Sequence, residues 1–147
     1  MQKSSTFERR LSAAVRPALG LPALRFIAYL GLCAAYLQGG LFKLMDFPAA
    51  IGEMNHFGLS PAPLFAVLVI ALELVASLMI LTGRLRWLGA LGLAGFTLLA
   101  TGIALRFWDL PAGPERFVVT NSFFEHLGLV GGFLLVAIWD VKEQKPI

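Results

Sequence analysis

Four stretches of this 147-residue chain are each long enough to cross a bilayer and nearly free of charge. A spanning helix needs roughly 20 mostly apolar residues. The runs cover about residues 26–44, uncharged until Lys43; 62–81, with the single charge Glu73; 87–105, without charge; and 123–139, with Glu125 and His126 in its first turn. They do not alternate polar with apolar, as strands of a membrane barrel would. The composition agrees: 58% of residues are apolar and 14% charged. A soluble domain averages roughly 45–50% and 25%, and a chain this short could not bury the surplus. Disorder, which needs few large apolar residues, is excluded as well. The expected fold class is an all-α membrane protein, a four-transmembrane-helix antiparallel bundle.

The connections carry the turn signals. Pro48 follows the first run, and Ser60-Pro61-Ala62-Pro63 opens the second. Thr82-Gly83-Arg84 turns into the third, and Pro111-Ala112-Gly113-Pro114 precedes the fourth. The 83–86 turn is so short that the runs it joins must be antiparallel. This divides the chain into an N-terminal segment 1–24, a membrane domain 25–140 and a tail 141–147. Within the first segment, Phe7, Leu11 and Val15 recur every four residues among arginines. That spacing suits either an amphipathic helix at the interface or a cytoplasmic tail. A cleavable signal peptide is not expected, because the first apolar run is long enough to span.

Nine of the twelve Lys and Arg residues fall before the first apolar run (Arg25 included), in the 82–86 turn and in the tail; Lys43, Arg106 and Arg116 fall on the opposite side. Positive charge is retained in the cytoplasm, so both termini are expected there. The 46–61 and 106–122 connections then form the outer loops, and the compartment is the bacterial inner membrane. The basic residues are not interleaved with stacking aromatics, so nucleic acid is not an expected partner. Membrane lipids are.

Lipid supplies no hydrophobic drive between helices, so small residues are expected at their contacts. Gly31, Ala35 and Gly39 recur at four-residue spacing with Lys43 in line. Gly128 and Gly132 do the same, in a stripe running back through Glu125 to Asn121. Lys43 and Glu125 are therefore assigned to helix contacts. An ionisable group at membrane depth is a functional candidate by default. Lys43, Glu73, Glu125 and His126, together with Gln38, Thr97 and Thr101, gather in the outer half of the bundle. This outlines a polar pocket beneath Phe107, Trp108, Phe117, Phe123 and Phe124. Simpler roles stand beside these: Lys43 snorkelling to headgroups, a structural Lys43–Glu73 pair, and His126 as an interfacial hydrogen-bonding residue. Trp87, Trp108 and Trp139 sit near span ends, as interfacial aromatics do.

Cys33 is the one cysteine and the histidines number two. An intrachain disulfide, dithiol–quinone exchange and paired haem ligation are thereby excluded. No zinc motif, other metal site, phosphate loop or nucleophile elbow is present. Any electron carrier must be a bound small molecule or a partner subunit.

Three blocks resemble the DoxX family of small bacterial four-helix membrane proteins. They are Gly39-Gly40-Leu41-Phe42-Lys43-Leu44-Met45-Asp46; Ala71-Leu72-Glu73-Leu74 with the turn Leu81-Thr82-Gly83-Arg84; and Asn121-Ser122-Phe123-Phe124-Glu125-His126-Leu127-Gly128-Leu129-Val130-Gly131-Gly132. The similarity extends over about residues 24–140. It implies Lys43, Glu73, Asn121 and His126 as functional polar residues. Some members of the family are subunits of thiosulfate:quinone oxidoreductases, and others associate with thiol or superoxide defence. The reading that follows is a redox-associated subunit, acting with a partner or as a homo-oligomer. It would bind a quinone-like or other lipophilic molecule among Lys43, Glu73, Asn121, Glu125, His126, Gln38, Thr101 and Trp108. Lys43 and His126 would bond a carbonyl oxygen while Glu73 or Glu125 handles protons. The alternative is a non-enzymatic accessory, scaffold or small-solute transport module built on a structural Lys43–Glu73 pair.

Overall fold

The computed structural model describes residues 6–144. Lys3 and Lys145, both part of the charge count, and the extreme ends of the chain lie outside the described residues. Six helices follow in order: α1 (Thr6–Leu19), α2 (Pro22–Met45), α3 (Phe47–His56), α4 (Ala62–Thr82), α5 (Arg86–Ala104) and α6 (Pro114–Glu143), with a single 3-10 turn at Phe107–Asp109. Four of them, α2, α4, α5 (continuing through the 3-10 turn) and α6, are long and apolar enough to cross a membrane. No strand occurs among the described residues.

Helix ends sit where the sequence supplies a stop or a cap. Pro22 and Pro63 occupy first-turn positions of α2 and α4, where a missing N–H is harmless. Asp46 ends α2 and caps α3, its side chain accepting a 3.1 Å bond from the Ala49 N–H. Gly83 closes α4 at φ 79°, a left-handed conformation that glycine adopts without strain.

Two connections differ from the sequence expectation. The 46–61 segment contains α3, whose Ala50 and Met54 pack onto Ala62 and Ala66 of α4. The 106–122 segment is mostly helix, because α6 starts at Pro114 rather than near residue 123. At 1.5 Å per residue its 30 residues extend about 45 Å, well beyond a hydrocarbon core of roughly 30 Å.

Helix α4 lies between α2 and α5, and α6 packs chiefly on α5; the seam between α2 and α6 is sparse. The core centres on Cys33 and Tyr36 of α2, Ala76 and Ile80 of α4, Ala90 and Leu93 of α5, and Phe133 and Ala137 of α6. Two glycines permit close approach. A Cβ at Gly89 would stand 2.7 Å from the Ala76 carbonyl oxygen, and one at Gly40 would stand 2.8 Å from Leu74 Cδ2. The small-residue stripes are placed differently from the expectation. Gly31 and Gly128 face outward, and neither would bring a Cβ within 4 Å of a neighbour; Ala35 is exposed at a cavity wall rather than packed on a helix. The buried stripe of α2 is Cys33, Tyr36 and Gly40, one step round the helix. Gly40 meets Leu74 of α4 and Gly39 lies against Glu73, so the expected stripe reaches the α4 seam only at its Gly39 end. Gly132 does meet α2, with Leu32 Cδ1 3.2 Å from the position of a Cβ.

Polar groups are not confined to the half of the bundle that holds Lys43. Arg86 and Asp140 form a mostly buried pair at the opposite end, 3.4 Å apart. Arg86 Nε donates to the Ile80 carbonyl (2.9 Å), which the end of α4 leaves open. Asp140 Oδ2 accepts from the Trp87 N–H (3.1 Å) at the start of α5. Helix ends leave such groups unsatisfied; one ion pair closes both sides of the α4–α5 turn. The Arg86 guanidinium also sits 4.6 Å from the Tyr29 ring centroid. Trp87 is half-buried against the core.

Candidate functional site

The expected polar cluster is divided by the packing into groups that meet and groups that turn away. Lys43 is in the last turn of α2 and Glu73 is midway along α4. Lys43 Nζ lies 3.3 Å from both Glu73 oxygens. The Glu73 side chain is 7% exposed and that of Lys43 16%. Gly39 packs on the pair, a Cβ there falling 3.4 Å from Lys43 Nζ and 3.6 Å from the carboxylate. A second carboxylate approaches from outside: α3 brings Glu53 Oε2, on a side chain 45% exposed, to 3.9 Å from the ammonium. Lys43 therefore serves two carboxylates, while Glu73 has one cation among the described residues.

On α5, Thr97 and Thr101 are buried. Each hydroxyl bonds one turn back, Thr97 to the Leu93 carbonyl and Thr101 to the Thr97 carbonyl, both at 2.6 Å. Tyr36 Oη reaches Thr97 Oγ1, and His126 Nδ1 lies 3.0 Å from Thr101 Oγ1.

All of these polar side chains except Thr101 border one cavity of about 560 Å³, within the range of small-molecule pockets. Lys43, Glu53, Glu73, Tyr36, Thr97 and His126 give its polar lining; its walls are otherwise apolar, with Phe57, Phe65, Phe96, Leu99 and Leu129 prominent. A second hollow of about 530 Å³ lies beside it between the end of α2 and α3, and Lys43 and Glu53 border both.

The remaining candidates are elsewhere. Gln38, Asn121 and Glu125 are exposed and do not line the cavity. The assignment of Glu125 to a helix contact is thus corrected: it precedes His126 by one residue, and about 100° of helical rotation turns it outward. Trp108 is half exposed and stacks edge-on with Phe107 and Phe123 outside the cavity. Glu53 and Tyr36 were missed. The signal for Glu53 was available, because Phe47, Ala50, Ile51 and Met54 have helical spacing just after an Asp-x-x-Ala cap. That for Tyr36 was its place one turn before Gly40 and two before Lys43. No group of three or more potential metal ligands occurs among the described residues.

Comparison with known sequences adds the following. A sequence model described as DoxX matches residues 23–106, from α2 to the end of α5, and so includes Lys43, Glu53 and Glu73. The protein named Inner membrane protein YphA, from Escherichia coli (strain K12), is 26% identical over 120 residues, 80% of this chain and 83% of that protein. No solved structure matches.

Proposed function

The chain belongs to the DoxX family, and from that premise we propose that it binds a lipophilic small molecule with a polar head, of the quinone class, in the cavity beside Lys43. One observation carries the reading: an apolar hollow of quinone-binding size has its charged and hydrogen-bonding groups gathered on named side chains. The fit to such a head is chemical. Lys43 has three N–H donors, two of them directed at Glu73; Glu53, at 3.9 Å, is beyond hydrogen-bond distance, which leaves the third for a carbonyl oxygen. A bound quinone would supply two-electron redox chemistry. The chain's own residues hold its head, keep water from the apolar walls and fix the charge balance around it. Cys33 is the chain's one cysteine, so the exchange of electrons is assigned to a partner subunit.

We place the protein in the inner membrane, as the name of the YphA relative states for that protein, with both termini cytoplasmic on the Lys and Arg balance. The cavity then lies toward the periplasmic face. A second reading, an accessory or transport module, draws on the closed geometry of the Lys43–Glu73 pair, which leaves neither Glu73 oxygen without a donor.

The test is purification in mild detergent, extraction of bound small molecules and mass spectrometry, with wild type beside Glu73→Gln and Lys43→Met. A quinone present in wild type and depleted in both variants supports the first reading. A protein that carries no lipophilic compound, and is destabilised in both variants, supports the second.

A further inference from the structure

The hydroxyl chain on α5 fixes which groups in the cavity donate and which accept. Thr101 has one hydroxyl proton, and its 2.6 Å bond to the Thr97 carbonyl consumes it. Its oxygen can then only accept from His126 Nδ1, 3.0 Å away. The neutral imidazole carries one proton, so a proton on Nδ1 leaves Nε2 as a bare lone pair. No hydrogen bond from the described residues reaches Nε2, and it is not sealed from solvent-sized contact. The same logic applies one turn earlier. Thr97 gives its proton to the Leu93 carbonyl, so Tyr36 must donate to Thr97 and keep only lone pairs for the cavity. Both Glu73 oxygens accept from Lys43. Of the polar groups lining the cavity, Lys43 alone has a donor to spare.

We infer that the cavity selects a ligand whose polar group at His126 is a hydrogen-bond donor, a hydroxyl or N–H, rather than a carbonyl or ether oxygen. For the quinone class this favours the phenolic, reduced form at the His126 pole over a second carbonyl. The inference rests on the proposed cavity function and deepens it. His126 is the recognising group, and Thr101, which acts through it, is a positioning residue. A carbonyl or ether oxygen against Nε2 would set two lone pairs face to face and leave both unpaired in an apolar pocket.

Two measurements test this. The first is nitrogen NMR of protein labelled at histidine, in lipid nanodiscs, with His56→Gln used to assign the two rings. The expected spectrum for His126 has the proton on Nδ1 and a bare Nε2 in the neutral ring; a proton on Nε2 overturns the inference. The second is binding of 1-naphthol and its methyl ether, the same ring system with and without the O–H donor, to the same nanodiscs with empty nanodiscs as the partition reference for the added methyl group. Wild type is expected to bind the naphthol about tenfold more tightly than the ether. Thr101→Val should bring that ratio close to one, and Thr101→Ser should restore it. Equal saturable binding of both probes by wild type overturns the selectivity and leaves the lipophilic cavity standing. Saturable binding of neither overturns the cavity function itself, and the inference with it. Should Thr101→Val fail to fold, the wild-type spectrum and wild-type probe ratio still decide the matter.

Discussion

Removing Lys43 should harm the protein more than removing Glu73, although the two form one ion pair. At 3.3 Å and an effective dielectric constant of about 20, their attraction is about 5 kcal/mol before desolvation is subtracted. Lys43→Met leaves Glu73, 7% exposed, with no cation in reach, and stranding a buried charge typically costs about 3–5 kcal/mol. Glu73→Gln leaves the ammonium with Glu53 at 3.9 Å on a more exposed side chain, and the glutamine oxygen still accepts from Lys43. That loss should be about 1–2 kcal/mol. The double variant Lys43→Met/Glu73→Gln should recover about 2 kcal/mol relative to Lys43→Met, because no charge is then stranded. The assay is reversible unfolding of all four proteins in one detergent, followed by circular dichroism. Equal losses from the two single variants would refute the reasoning, as would additive losses in the double variant; either result means that Glu73 does not depend on Lys43.

Three further outcomes can be measured, two from the packing and one from the Lys and Arg balance. Asp140→Ala should lower stability by about 2–4 kcal/mol, since it strands Arg86 and uncaps the Trp87 N–H; Asp140→Asn, which can still accept from Trp87, should lose less in the same unfolding assay. Gly89→Ala should destabilise by about 1–3 kcal/mol, because its Cβ would meet backbone at 2.7 Å, whereas Gly31→Ala and Gly128→Ala, with open space, should be neutral or slightly stabilising. A fluorescent reporter that matures only in the cytoplasm, fused after Ile147, should be bright; a dark fusion beside a bright one inserted at Ala112 would reverse the orientation.

The cavity also explains why its neighbours differ in consequence. Glu125 and His126 are consecutive, yet one faces outward and the other hydrogen-bonds across to α5. A stripe drawn through small residues selected Glu125, because Gly128 and Gly132 lie on its side of the helix. The contact face of α6 is instead set by Phe133 and Ala137, which sit in the core against α5. On α2 the displacement is again one residue: Gln38 and Ala35 were candidates, and Cys33, Tyr36 and Gly40 are buried. Arg86 was counted with the 82–86 turn, and Asp140 follows the last apolar run. Their long and short side chains reach back to helix-end groups that a hydropathy count does not contain.

The sequence by itself determined four spanning helices, a tight α4–α5 turn, and Lys43 and Glu73 as charges at membrane depth. These are local consequences: in hydrocarbon each span must satisfy its own backbone, so length and apolarity decide the helix without reference to any other part of the chain. The tertiary structure alone decided that α3 folds back to set Glu53 beside Lys43. It also decided that His126 rather than Glu125 enters the cavity, and that Asp140 caps a helix more than fifty residues away in the chain. Those pairings depend on which face each helix turns to its neighbours. A rotation of one residue, about 100°, exchanges a lipid-facing side chain for a buried one, and the balance of packing across several helices fixes that angle.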